Sequence, residues 1–248
     1  RPARRVEQGL MVQSGEFGAL EIGAVLFDLD GTLLDTLPDL HVATNAMLSD
    51  LGRTPLPLSA VRSYLGRGIS NLVKRVLAGS LAAAEDDSPV PVHALASFRQ
   101  HYARENGRNA LVYPGALEGL RALKAKGVPL GLITNKAEAF ALPLLELTGL
   151  VDYFDVVVSG DSLPRQKPDP MPLVWACGRL GVSPENTLFI GDSINDFLAG
   201  RAAGCRVFLV PYGYNEDRDV HELACDAIVK SVADAATRVE FQAKQPSA

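Results

Sequence analysis

Asp28 and Asp30 close a short apolar run in Asp28-Leu29-Asp30-Gly31-Thr32. On an extended segment, residues two apart point the same way, so both carboxylates can face one site. Gly31 permits a tight turn and leaves backbone N–H groups free to approach an anion, and Thr32 adds a hydroxyl donor. Three more segments carry related groups. Thr134-Asn135 follows a second apolar run and offers a hydroxyl and an amide. Gln166-Lys167-Pro168-Asp169-Pro170 follows a third, and Pro168 restricts Lys167 to extended backbone. Gly191-Asp192-Ser193-Ile194-Asn195-Asp196 follows a fourth and opens a helix, on which Asp192 and Asp196, four apart, share a face. Taken singly, each segment also has a structural account, since Asp, Asn and Thr cap helices and a lone lysine is ordinarily solvated.

Their combination points to chemistry. Carboxylates packed together cannot all ionise without a compensating cation. A set of oxygen ligands without cysteine or histidine suits Mg²⁺. With a phosphate dianion present, such a site would carry roughly −5 or −6 before any cation is counted. Lys167, the metal and oriented backbone N–H groups would offset that charge. This is the chemistry of phosphoryl transfer to a carboxylate.

The elements that must hold these groups are legible as alternating patterns. Continuous apolar runs at 24–28, 129–134, 154–159, 187–192 and 205–210, with a short sixth at 227–229, suggest strands buried on both faces of a parallel sheet. Helical spacing fills the gaps. In 116–126, Leu117, Leu120 and Leu123 recur every third residue, and Gly127 follows where a C-terminal cap belongs. Segments 137–147 and 171–180 behave alike, closed by Gly149 and Gly181. This alternation predicts a doubly wound, Rossmann-like three-layer α/β fold with a parallel sheet. Ligands bind such sheets at the carboxyl ends of the strands. Residues 37–112 break the rhythm with three helical stripes, led by Leu37, Ile69 and Leu95, and too long a connection for a loop. They predict an inserted helical cap, leaving 23–36 and 113–241 as the core and 1–22 and 242–248 as loose ends.

Composition narrows the partners. The 248 residues carry 24 Lys+Arg and 29 Asp+Glu, a net charge of −5 that argues against general nucleic-acid binding. With 47% apolar and 21% charged residues the chain can bury a core, which excludes a disordered protein. No apolar run approaches the roughly 20 residues that span a bilayer. Arg1-Pro2-Ala3-Arg4-Arg5 has the charge of a signal segment without an apolar stretch after it, and Met11 could be a natural start. Cys177, Cys205 and Cys225 are odd in number and widely spaced, which disfavours a disulfide framework or zinc site. The expectation is a cytoplasmic protein acting on a small phosphate ester, with no membrane or nucleic-acid partner; no oligomeric state follows.

These segments resemble those of the haloacid dehalogenase superfamily, over about 24–235. Leu65-Gly66-Arg67-Gly68, Leu72-Val73-Lys74-Arg75-Val76-Leu77, Tyr113-Pro114-Gly115, Thr134-Asn135-Lys136 and Tyr212-Gly213-Tyr214-Asn215 look like bacterial phosphoglycolate phosphatases within it. Gln166 stands where the family often has a basic residue, and Ile194 replaces a usual polar one. The resemblance implies that Asp28 is the nucleophile and Asp30 the acid and then base. That double role suits a carboxyl whose pKa is raised by its neighbours. Mg²⁺ would sit on Asp28, the backbone carbonyl of Asp30 and Asp192, with Asp196 orienting that shell. Thr134 and Lys167 would hold phosphate, alongside Gly31, Thr32 and Asn135. A substrate carboxylate would fall to Arg67 and Gly68 of the cap, since Arg forks onto carboxylates. Cap closure would exclude bulk water. Competing readings are a phosphatase of other sugar phosphates, a β-phosphoglucomutase-like phosphomutase, and a non-catalytic phospho-Asp receiver.

Overall fold

A computed structural model describes residues 20–84 and 88–241. Its elements in chain order begin with β1 (Leu20–Ile22), β2 (Ala24–Phe27) and β3 (Leu34–Asp35). Four helices follow: α1 (Leu37–Asp50), α2 (Leu58–Ser63), α3 (Gly68–Ala78) and α4 (Val92–Glu105). The chain then alternates through β4 (Leu111–Val112), α5 (Ala116–Ala125), β5 (Leu130–Ile133), α6 (Glu138–Leu147), β6 (Val156–Val158), α7 (Met171–Leu180) and β7 (Thr187–Gly191). It ends with α8 (Ile194–Ala203), β8 (Arg206–Leu209), β9 (Ala227–Ile228), α9 (Val232–Thr237) and β10 (Val239–Phe241).

Six strands form the main sheet in the order β6-β5-β2-β7-β8-β9, every pair parallel. The sheet is buried on both faces because its strands alternate between two apolar layers. Val25 and Phe27 of β2 and Leu188 and Ile190 of β7 face a cluster shared with α5, α6 and α9. Leu26 and Phe189 face the opposite cluster, with Leu173, Ala176 and Cys177 of α7 and Ala199 of α8. Two-sided burial accounts for the unbroken apolar runs. The chain leaves β2 toward β5 and β6, then returns on the other side through β7 and β8. The switch in winding direction lies at β2, so the crevice for a ligand opens beyond the carboxyl ends of β2, β5 and β7.

The helices α1 to α4 form a layer of their own. Leu40, Ala43 and Met47 of α1, Val61 of α2, Leu72, Val73 and Val76 of α3, and Ala94, Phe98 and Tyr102 of α4 make one cluster. From the sheet side, Phe140 and Tyr214 complete it. The protein is thus a three-layer α/β core carrying an inserted helical cap. The cap enters and leaves along the antiparallel pair β3–β4, where Leu34 faces Val112. No helix among the described residues is long and apolar enough to cross a membrane.

One expectation fails at the edge. The N-terminal loose segment does not reach Ile22, because Leu20–Ile22 pairs in parallel with Val239–Phe241. Leu20 N–H donates to the Arg238 carbonyl at 2.8 Å. Three residues carry too little periodicity to mark a strand, and its partner lies at the far end of the chain. The rest of that segment, 1–19, and the loose end at 242–248 lie outside the described residues.

Gly119 marks where α5 meets the start of α9. A Cβ there would sit 2.5 Å from the Val232 carbonyl carbon, a backbone atom that cannot swing away. Gly119→Ala should cost about 1–3 kcal/mol by overpacking, seen in calorimetry as a fall in midpoint of roughly 2–4 °C per kcal/mol.

Candidate active site

Asp28 follows the last residue of β2, at the centre of the sheet, and its N–H donates to the Ile190 carbonyl of β7 at 2.9 Å. The side chain emerges at the switch point with 8% of its surface exposed. Lys167 lies against it with Nζ 2.6 Å from Asp28 Oδ1 and 2.7 Å from Asp196 Oδ1. Its ammonium also caps the face of the Phe189 ring. Burial alone would depress Lys167, but Asp196 and Asp28 outweigh it and hold the amine above the ordinary lysine value. It is a fixed cation.

Asp192 and Asp196 meet through backbone geometry. Ser193 caps α8, its Oγ accepting from Asp196 N at 3.4 Å. Asp196 Oδ2 in turn accepts from Asp192 N–H and Ser193 N–H, both at 3.1 Å, and from Ser193 Oγ at 2.6 Å. This is a capping box, and it commits Asp196 entirely to Lys167 and to donors of its own turn. Asp192 takes Thr32 Oγ1 at 3.1 Å on Oδ1 and the Tyr214 N–H on Oδ2. Gly31 and Gly213 flank that carboxylate so closely that a Cβ on either would overlap it.

Asp28, Asp192 and Asp196 each place a carboxylate oxygen within 4.8 Å of the others, all buried. Burial, with Asp196 adding repulsion against the attraction of Lys167, raises Asp28 from 3.8 to about 7. Burial and the charges of Asp196 and Asp28 push Asp192 well above the usual carboxylate range. A single ammonium does not compensate three carboxylates, and the set has the donors of a hard-cation site.

Asp30 stands apart. Its side chain is 24% exposed, and it binds Lys136 Nζ at 3.1 Å (Oδ2) and 3.2 Å (Oδ1). Thr36 Oγ1 donates to Asp30 Oδ1 at 2.8 Å. Thr134 is buried beside them and accepts from Lys136 N–H at 3.2 Å. Asn135 reaches across with Nδ2 to the carbonyls of Gly66 (3.2 Å) and Lys167 (2.9 Å). Asp28, Asp30, Thr134, Asn135, Lys136, Lys167, Asp192 and Asp196 line one cavity, closed from the cap by Leu40, Leu65, Gly66, Gly68, Ile69 and Leu72.

Residues 22–204 match the family model of haloacid dehalogenase-like hydrolases. The chain belongs to that family. It is 54% identical over 221 residues to a phosphoglycolate phosphatase of Nitrosospira multiformis, covering 89% of this chain and 97% of that one. A phosphoglycolate phosphatase of Thiobacillus denitrificans is 51% identical, over 89% of this chain and 96% of that one. A solved structure described as a predicted phosphoglycolate phosphatase from Haemophilus somnus superposes with a TM-score of 0.78 at 33% identity, covering 87% and 97% of the two chains. This protein is therefore a haloacid dehalogenase-like enzyme, similar to phosphatases.

Several sequence expectations sit differently in this hydrolase. Asp192 precedes α8, so it shares no helical face with Asp196; its N–H donates to Asp196 Oδ2 instead. The turn at Gly31 closes on itself: Gly31 and Thr32 donate their N–H groups to Leu34 O (2.8 Å) and Leu29 O (3.3 Å), leaving neither for an anion. Both residues support Asp192 from behind and do not line the cavity. Gly68 lines it, but Arg67 does not; Arg67 Nε lies 3.4 Å from Glu216 Oε1. The hydrogen-bonding neighbours of Asp30 are a cation, Lys136, and a hydroxyl donor, Thr36.

Sequence reasoning leaves three residues without a role. Lys136 follows Thr134-Asn135 in sequence with nothing to mark it, yet it is buried in the site. Tyr214 holds Asp192 by its N–H, and its hydroxyl accepts from Thr36 N (2.9 Å) and Leu37 N (3.0 Å), where the cap begins. Glu216 receives Arg75 Nη2 at 2.6 Å, a buried pair across cap and core.

The raised carboxylates fix the sign of a pH effect. Between 3.8 and about 7 the folded metal-free protein holds a proton on Asp28 that the unfolded chain releases, so stability falls as pH rises through that window. Asp50, Asp155, Asp169, Glu185, Asp219 and Asp234 are held low by their hydrogen bonds and titrate with the opposite sign, so the comparison with Asp28→Asn isolates the effect. In chelator, the thermal midpoint of the protein should fall relative to that of Asp28→Asn from pH 4 toward pH 7, and a divalent cation should restore stability at neutral pH.

Proposed function

We propose that this enzyme is a Mg²⁺-dependent phosphomonoester hydrolase that works through an aspartyl-phosphate, with 2-phosphoglycolate as substrate. The observation that carries the reading is the Asp28 carboxylate at the switch point, paired with buried Lys167 and faced by Asp192, with the Asp30 carboxyl two residues on at the more open side. Asp28, Asp192 and the backbone carbonyl of Asp30 would hold Mg²⁺, while Asp196, already committed to Lys167 and its capping box, would orient them. The buried carboxylate set without cysteine or histidine fits that cation. When bound, Mg²⁺ would offset the carboxylates and polarise the phosphoryl group.

Asp28 Oδ attacks phosphorus as the bond to the leaving oxygen breaks, and Asp30 passes its proton to that oxygen. Glycolate then leaves. Asp30, now a carboxylate, takes a proton from water as the water oxygen attacks phosphorus and the Asp28–phosphorus bond breaks. Inorganic phosphate departs and Asp28 is regenerated. Lys167 and Thr134 hold the phosphoryl oxygens, and Asn135 ties the wall carrying Lys167 to the cap loop at Gly66. The cap adds apolar side chains and the start of α3, where the short substrate would be enclosed. The names of the relatives support phosphoglycolate. Three free cysteines with no disulfide among them suit a cytoplasmic setting.

Phosphate release measured across small phosphate esters should favour phosphoglycolate, require Mg²⁺ and need no sugar bisphosphate. Release without a metal after exhaustive chelation would refute the metal assignment. Asp28→Asn should lower turnover by roughly 10⁴-fold or more; near-normal turnover in that variant would exclude the covalent route.

A further inference from the structure

Among the described residues, the cationic side chains that line the cavity are Lys136 and Lys167. Lys167 is bound to Asp28 and Asp196. Lys136 has no part in the reaction described above, although it is 5% exposed at the centre of the site. An ammonium has three donors. Lys136 directs them to Asp30 Oδ1, Asp30 Oδ2 and the hydroxyl of Tyr102, which belongs to α4 of the cap. Tyr102 is fully buried, its ring packed on Phe98 and Phe140 with centroids 5.6 and 4.9 Å away. Burial pushes its phenol up to about 12, so it meets the ammonium as a neutral acceptor.

We infer that Lys136 is a positioning residue that fixes the Asp30 carboxyl for proton transfer to the leaving group, and that Tyr102 fixes Lys136 from the cap. The inference rests on the role of Asp30 proposed above. A carboxyl attached to a two-bond side chain at the more open edge of a cavity has rotamers to lose. Thr36 restrains one oxygen and Lys136 spans both. Lys136 is itself held because its third donor is spent on a ring wedged in the cap cluster. The acid is thereby in place only when α4 is seated on the core. The short backbone link through Thr134 Oγ1 and Lys136 N–H ties this arm to the phosphate side of the site.

A leaving group that needs no proton separates positioning of the acid from other roles. The step to read is transfer of the phosphoryl group to Asp28, because the later hydrolysis uses Asp30 as base whatever the substrate. In single-turnover mixing with 4-nitrophenyl phosphate, Lys136→Gln should change the rate of 4-nitrophenolate release by less than about threefold. With phosphoglycolate the same variant should lose roughly 10²-fold in the single-turnover rate of glycolate release, with the half-saturating substrate concentration moving far less. Tyr102→Phe keeps the ring packing and should show the same selectivity, weaker by about tenfold; it carries the test if Lys136→Gln does not fold. Equal losses in that first step on both substrates, or an effect confined to the half-saturating concentration of phosphoglycolate, would overturn the inference, the latter making Lys136 a receptor for the substrate carboxylate. Asp30→Asn is the reference. If it shows no leaving-group dependence, the role of Asp30 fails; if it shows the dependence and Lys136→Gln does not, only the role of Lys136 fails.

Discussion

Lys167 sits between Asp28 and Asp196, within 2.7 Å of each, where little water reaches any of the three. Ion pairs in such surroundings lose hydration that their mutual attraction regains only with good geometry and further hydrogen bonds. Much of the architecture supplies that geometry. The reversal of winding at β2 brings the ends of β5 and β7 beside Asp28. The capping box of α8 turns Asp196 toward the lysine, while Thr32 and the Tyr214 N–H hold Asp192. Asn135 grips the carbonyl of Lys167 and steadies its backbone. Removing the ammonium would leave buried carboxylates without their cationic partner, a costly change.

The groups at the strand ends are readable from sequence for a physical reason. A strand buried on both faces must be apolar throughout, so the first polar residue after it is conspicuous, and in a parallel sheet those residues emerge on one edge. Asp28, Thr134 and Asp192 are of this kind. What is not readable depends on contacts between distant parts of the chain. Spacing suggests a shared helical face for Asp192 and Asp196, but a cap shifts the helix start by two residues and gives the same proximity by another route. Arg67 has the chemistry to bind a carboxylate, and Glu216, 149 positions further along the sequence, supplies one from the protein itself. Lys136 becomes visible only when Tyr102 arrives from the cap. Leu20–Ile22 forms a strand because its partner lies at the opposite end of the chain.

The segment after β8 joins the two layers. Tyr214 binds Asp192 through its backbone and the first residues of the cap through its hydroxyl. Arg62 of α2 donates to the carbonyls of Gly213 (2.6 Å) and Tyr212 (3.0 Å), and Arg75 of α3 clasps Glu216. The cap is therefore fastened to the very loop that steadies a carboxylate of the site. The contacts that seat the helices and the one that holds that carboxylate share a single loop.

Gly31 and Gly213 press on Asp192 from two sides, and the carboxylate occupies the volume that their side chains would need. The opposite wall, with Leu40, Ile69 and Leu72, is built from ordinary apolar side chains whose size can vary with modest cost. The cavity thus has an unalterable floor and an adjustable ceiling. Diversification of substrate range within such a scaffold has somewhere to happen: a library built on the ceiling samples new shapes, whereas one that includes the two glycines spends its members on proteins without a working floor.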